Sequence, residues 1–69
     1  MRADVDKAIS DLVAIRKMRG LSIEDVSGLS EIGERSLRAY EDRKRLPSAL
    51  RLSQWAEVFG CQIMLMPRQ

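Results

Sequence analysis

Two short helical patterns, about Ser22 to Leu29 and about Glu34 to Asp42, are separated only by the turn Ser30-Glu31-Ile32-Gly33. The first has a strong start. Ser22 is a favoured N-cap, and Asp25 three residues on completes an S-x-x-D capping box, in which each side chain accepts from the other residue's backbone amide. Leu21 before the cap and Val26 at the fourth helical position suit a hydrophobic staple. The second pattern opens on Gly33, an acceptable cap, and Ile32 with Leu37 repeats the staple spacing. Leu37 and Tyr40 belong to the core side of that helix, so Arg35, Ser36, Arg38 and Ala39 point elsewhere.

The flanks extend the helical pattern. Asp4 can cap a first helix from about Val5 to Arg19, where Val5, Ala8, Leu12 and Ile15 keep helical spacing and Ile9 and Val13 widen the stripe. Gly20 stands where a left-handed residue ends a helix. After a basic loop from Arg43 to Pro47, Ser48 caps a fourth helix through Phe59, which Gly60 ends. Leu52, Trp55, Ala56 and Phe59 form an i, i+3, i+4, i+7 face, so Trp55 and Phe59 read as packing rather than as a base-stacking platform.

From Cys61 to Met66 the period changes. Cys61, Ile63 and Leu65 alternate with Gln62, Met64 and Met66, which reads as one strand stopped by Pro67. A lone strand cannot satisfy its own backbone hydrogen bonds, and nothing else in the chain reads as a strand. Its expected partner is the same strand of a second copy across a two-fold axis; the alternative is a tail that packs as coil. The expected fold is an all-α bundle of four to five helices over residues 1–60. A short C-terminal strand or tail, 61–69, follows, with Cys61, Ile63, Met64, Leu65 and Met66 as the dimerisation element.

Sixty-nine residues make one small domain. Such a domain buries only about 60% of its unfolded surface and usually needs a staple or a partner. The chain has no histidine and one cysteine. A structural zinc site needs about four His or Cys ligands, and one thiol makes no internal disulfide. No metal or other cofactor is expected, and a second copy is the expected stabiliser. Cys61 has no histidine to activate it, so it reads as an apolar residue rather than a nucleophile. Met64 and Met66 read as dimer packing rather than a metal site. With no phosphate-binding glycine loop and no paired carboxylates in a plausible cleft, an enzyme is not expected. No signal-peptide core and no run of ~18 apolar residues is visible, and a lone thiol fits a reducing compartment, so the expectation is a soluble cytoplasmic protein.

Net charge is only +2, but the cations are grouped. Arg16, Lys17 and Arg19 form one cluster; Arg35, Arg38, Arg43, Lys44 and Arg45 form another. Either they make a phosphate-facing surface or they are ordinary solvated faces.

The joint spacing of several pieces resembles a known family. These are R-x-x-x-G-L-S at Arg16 to Ser22, E-D-V at Glu24 to Val26, S-L-R-A-Y-E at Ser36 to Glu41, P-S at Pro47-Ser48 and the ending W-A-E-V-F-G. Together, from Ile15 to Gly60, they are similar without a gap to the helix-turn-helix domains of phage Cro and lambda-type repressors, the xenobiotic-response-element type. The resemblance implies a lambda-repressor-like bundle in which one helix crosses the DNA backbone and the next enters the major groove, a groove wide enough for one α-helix.

The family then implies roles. Glu34, Arg35, Ser36 and Ala39 fall where it places base contacts. Ser22, Ile23, Arg38, Arg43 and Lys44 fall where backbone contacts are usual, the first two at a helix N-terminus that suits phosphate. Arg16 and Glu41 match a partly buried ion pair tying the first helix to the third. On chemical grounds Arg35 suits guanine O6 and N7, and Glu34 either answers the helix dipole or accepts from a cytosine amino group. The chain departs from the family at Ile23, where a polar residue is usual, and at Glu31 and Arg43, where glycine is usual. A non-glycine residue in the left-handed region costs about 1 kcal/mol, and Gly33 offers a way to shift the turn.

Two functions are open. One is a transcriptional regulator, a repressor binding an inverted repeat of double-stranded DNA as a homodimer. The other is an antitoxin or antiactivator that covers a protein partner, which can also repress its own operon. Neither requires a membrane or a small-molecule ligand.

Overall fold

The computed structural model describes the backbone of residues 2–61 and the side chains of residues 4–61. Four helices follow in order, α1 (Arg2–Met18), α2 (Ile23–Ser30), α3 (Glu34–Glu41) and α4 (Ala49–Val58). Among the described residues there is no strand. The strand expected over Cys61 to Met66, and with it Ile63, Met64, Leu65 and Met66, lies outside the described residues beyond Cys61.

Helix α1 starts at Arg2, three residues before the expected Val5, and Asp4 sits inside its first turn instead of capping it. An acidic side chain in the first turn complements the positive end of the helix dipole, so Asp4 favours the helix without ending it. At α2 the local signals act as read. Asp25 N–H donates to Ser22 Oγ at 3.0 Å, and Ser22 N–H donates to Asp25 Oδ2 at 2.9 Å. These bonds favour the ionised carboxylate and hold the Asp25 carboxyl below the usual aspartate range. Ser48 caps α4 by accepting from Arg51 N–H.

Three helices end in one hydrogen-bonding pattern. After α1, Gly20 N–H donates to Lys17 O and Leu21 N–H to Arg16 O; after α4, Gly60 N–H donates to Glu57 O and Cys61 N–H to Ala56 O. This Schellman arrangement needs a left-handed residue at its apex, and Gly20 (φ 69°) and Gly60 (φ 70°) supply it. After α3 the same bonds run from Arg43 N–H to Tyr40 O and from Lys44 N–H to Ala39 O, but the apex is Arg43 at φ 62°.

The side chain of Arg43 offsets that strain. Its guanidinium donates to Glu41 O at 2.9 Å, to Asp6 O at 3.3 Å and to Ser10 Oγ at 2.8 Å, and its Nε lies 3.6 Å from Asp6 Oδ1. Arg43 therefore fastens the loop after α3 to α1.

All four helices contribute to one core. Ile9 and Leu12 of α1, Val26 of α2, Ile32 of the turn, Leu37 and Tyr40 of α3, and Leu52, Trp55 and Ala56 of α4 are buried, with Phe59 closing the end. Val5, Ala8, Val13, Ile15, Leu21 and Ile23 pack at its edge. The Tyr40 and Trp55 rings lie 6.3 Å apart between α3 and α4. Arg19, just past α1, stacks over the Phe59 ring at 5.3 Å and donates to Phe59 O, joining the two helix ends.

The turn between α2 and α3 is held by two serines. Ser27 Oγ donates to Ile32 O at 2.7 Å, and buried Ser30 Oγ accepts from Ile32 N–H at 3.2 Å. Ile32 is thereby pinned in the core while its backbone stays satisfied. The turn does not shift to Gly33, which has ordinary dihedrals (φ −58°, ψ 145°); Glu31 itself takes the left-handed seat at φ 64°. Relief of that strain is worth about 1–2 kcal/mol, less about 0.4–1 kcal/mol for the freer unfolded chain of a glycine variant. Glu31→Gly should therefore raise stability in urea unfolding by roughly 0.5–1 kcal/mol. A lowered midpoint would show that the Glu31 side chain contributes more than its backbone costs.

Candidate nucleic-acid interface

Burying Leu37 and Tyr40 turns the opposite side of α3 outward, because residues on an eight-residue helix divide by its 3.6 period. Arg35 and Arg38 are exposed on that side, while Glu34, Ser36 and Ala39 are half-buried. Ala39 is small enough to let another surface approach α3 closely. Its carbonyl also accepts from both Lys44 N–H (2.9 Å) and Arg45 N–H (3.3 Å), which wraps the basic loop back against the end of α3. Lys44 and Arg45 are exposed there.

The cations of this surface are not equivalent. Arg38 is paired with Glu34, Nη2 to Oε1 at 2.8 Å, one turn apart. That bond and the adjacent negative charge hold the Arg38 guanidinium above the usual arginine range. Arg43 is turned toward α1 by the contacts given above. Arg35, Lys44 and Arg45 have no ion-pair partner among the described residues. Of the two basic clusters read from the sequence, the one around α3 keeps Arg35, Arg38, Lys44 and Arg45 exposed. In the other, Arg16 is bonded inward and Arg19 covers Phe59.

The N-terminus of α2 is a mixed site. Ser22 is exposed, but its hydroxyl is engaged by the Asp25 amide. Ile23 is half-buried and packs against the core, so its side chain serves the fold. The amides of Ile23 and Glu24 point out of the first turn by helix geometry. Glu24 and Asp25 put negative charge beside them, which weakens the pull of that turn on a phosphate.

Arg16 and Glu41 fix the angle of the whole surface. Arg16 Nε donates to Glu41 Oε2 at 2.9 Å, Nη2 donates to Oε1 at 3.0 Å, and Nη1 donates to Leu21 O at 2.8 Å. The two side chains are only 12% and 10% exposed. A two-pronged contact of this kind restricts rotation as well as distance, so α3 is held rigidly against α1 and against the start of α2.

The helix pair, its tight turn and the outward polar face of the second member match a recorded sequence family. A profile described as helix-turn-helix covers residues 12–65, more than half of the chain. The chain belongs to the Cro- and lambda-repressor-type helix-turn-helix family. No curated protein and no solved structure matches it. Family membership makes it a DNA-binding helix-turn-helix regulator, with α2 and α3 as the motif. The left-handed residues after α2, within the turn, and after α3 are Glu31 and Arg43 rather than glycine.

Three features of the interface were missed in the sequence: the serine-held turn, the turning of Arg43 toward α1, and the Glu34 to Arg38 pair. Only the last had a signal, since Glu followed by Arg at i+4 is a favoured helix pair. Among the described residues no helix is long and apolar enough to cross a membrane, and no group of three or more His, Cys, Asp or Glu side chains could hold a metal.

Proposed function

We propose that the chain is a sequence-specific transcriptional repressor that binds an inverted-repeat operator as a homodimer, with α3 in the major groove. The observation that supports this most is the outward face of α3. It carries Arg35 exposed and unpaired among the described residues, flanked by half-buried Ser36 and Ala39 and by the exposed Lys44. An arginine offered to the groove favours the O6 and N7 acceptors of guanine, the commonest specific contact. Ser36 and Ala39 complete the base-facing row. Lys44 and Ser22 meet phosphate on either side, together with the first amides of α2 at Ile23, while Arg43 serves mainly to hold the loop that carries Lys44. Dimerisation through Cys61 to Met66 would set two such helices about 34–36 Å apart, one duplex turn.

The test is a selection from a random duplex pool, followed by binding measurements on the selected and a scrambled duplex. Arg35→Ala should weaken the selected duplex by about 1–3 kcal/mol and relax preference at one position, leaving scrambled DNA less affected. Lys44→Ala should weaken both alike. Equal losses on both duplexes for Arg35→Ala would remove the base-reading role.

A second reading rests on the exposed apolar side chains Met18, Leu29, Leu46 and Leu50, which are 49–80% exposed. They would suit an antitoxin or antiactivator that covers a protein partner. Size-exclusion of the isolated chain separates the two readings: a stable dimer favours the repressor, and a monomer that assembles only with a partner favours the second.

A further inference from the structure

The pair formed by Glu34 and Arg38 crosses the one face of α3 that the proposed function needs open. Both side chains still reach solvent, 42% and 60% exposed, so burial does not force them together. The carboxylate is the first residue of α3 and the guanidinium stands one turn later, on the side away from Leu37 and Tyr40. A carboxylate in the first turn of α3 suits the helix dipole but works against attachment to DNA. The duplex presents phosphates along both walls of the groove, and most base-edge atoms in it are acceptors, N7 and O6 of guanine, N7 of adenine and O4 of thymine. All of them repel Glu34. Only the amino groups of cytosine and adenine donate.

Resting on the DNA-binding reading above, we propose that Glu34 is a specificity-determining residue that acts as a removable counter-ion for Arg38. Every base pair carries one such amino group, so what Glu34 reads is where it lies: on a duplex whose facing pair holds it on the other strand, out of reach, Glu34 keeps Arg38 paired and withholds one cation from the phosphates. At the operator a base bearing an exocyclic amino group takes over Glu34, and Arg38 turns to a phosphate. The pair thus penalises wrong sequences twice, by the repelled carboxylate and by the withheld arginine. It does so without lowering binding where the amino-bearing base is within reach.

The idea gives the salt dependence of binding to a scrambled duplex a definite form. Each neutralised phosphate contributes about 0.9 to the slope of log K against log salt. Glu34→Ala should steepen the wild-type slope by about 0.9 and tighten scrambled-DNA binding. Arg38→Ala should leave the slope near the wild-type value. In the Arg38→Ala background, Glu34→Ala should no longer steepen it. Selection with Glu34→Ala should return sites with no preference for which strand carries the amino-bearing base at one position.

Circular dichroism on each variant checks that these exposed substitutions leave the helices intact. An unchanged slope for Glu34→Ala overturns the proposal, and so does an equal steepening with Arg38 absent, which would reduce Glu34 to a simple repulsive charge. A wild-type chain that binds no duplex even at low salt would instead remove the DNA-binding reading, and this inference with it. Wild-type binding with no effect of Glu34 removes this inference alone.

Discussion

Glu41→Ala is expected to cost the domain about 3–5 kcal/mol, because it leaves the Arg16 guanidinium charged, nearly buried and without its carboxylate. Small domains have little more than that to lose, so the variant should show a broad, low-temperature loss of helical signal by circular dichroism. Most of this cost is the stranded charge rather than the net worth of the pair. Replacing both partners by apolar residues of similar volume, as in Arg16→Met with Glu41→Leu, should therefore recover most of the stability. It should not restore DNA binding fully, since apolar packing does not reproduce the two-pronged angular restraint between α1 and α3. If the double variant is as unstable as Glu41→Ala, the contribution of the pair is its hydrogen bonds and not relief of a buried charge.

Trp55→Ala should cost a similar amount, about 3–5 kcal/mol, for a fully buried aromatic at the meeting point of α3 and α4. Trp55→Phe should behave differently. Among the described residues the indole Nε1 has no hydrogen-bond partner, and an unsatisfied buried donor costs the native state about 1–3 kcal/mol. Phenylalanine forfeits some packing but removes that donor, so the net change should lie within about 1 kcal/mol of zero. Urea unfolding followed by far-ultraviolet circular dichroism suits both variants, since each loses the chain's single tryptophan. Comparable losses for the two would mean that indole shape outweighs the orphaned N–H.

What could be read from the sequence was local. The Ser22 and Asp25 box, the Ser48 cap and the stops at Gly20 and Gly60 each depend on residues within one turn, and each is present in the structure. The core spacing of Leu52, Trp55 and Phe59 was legible because a two-turn pattern needs no knowledge of its partner. Contacts that close over long stretches of chain were not legible from the residues themselves; the Arg16 and Glu41 pair, 25 residues apart, was expected only through the family resemblance. The bonds from Arg43 to Asp6 and Ser10 span 37 and 33 residues, and the bond from Arg19 to Phe59 spans 40. The absence of glycine at 31 and 43 was visible, but where the strain would be taken up was not. That depended on serine hydroxyls at 27 and 30 and on a guanidinium reaching across to another helix. The first helix began early because an acidic residue serves a first turn as well as it serves a cap, and spacing alone does not separate these uses.

Helices α2 and α3 have eight residues each, well under the dozen or so at which a free peptide begins to hold helical shape in water. Neither exists apart from the layer of Ile9, Leu12, Leu52 and Trp55 beneath it. A fragment cut out around the motif would thus be a disordered peptide with the right letters and no surface. Any partner of this chain recognises the whole cooperative unit, and a cell that destabilises the unit silences it without touching a single contact residue.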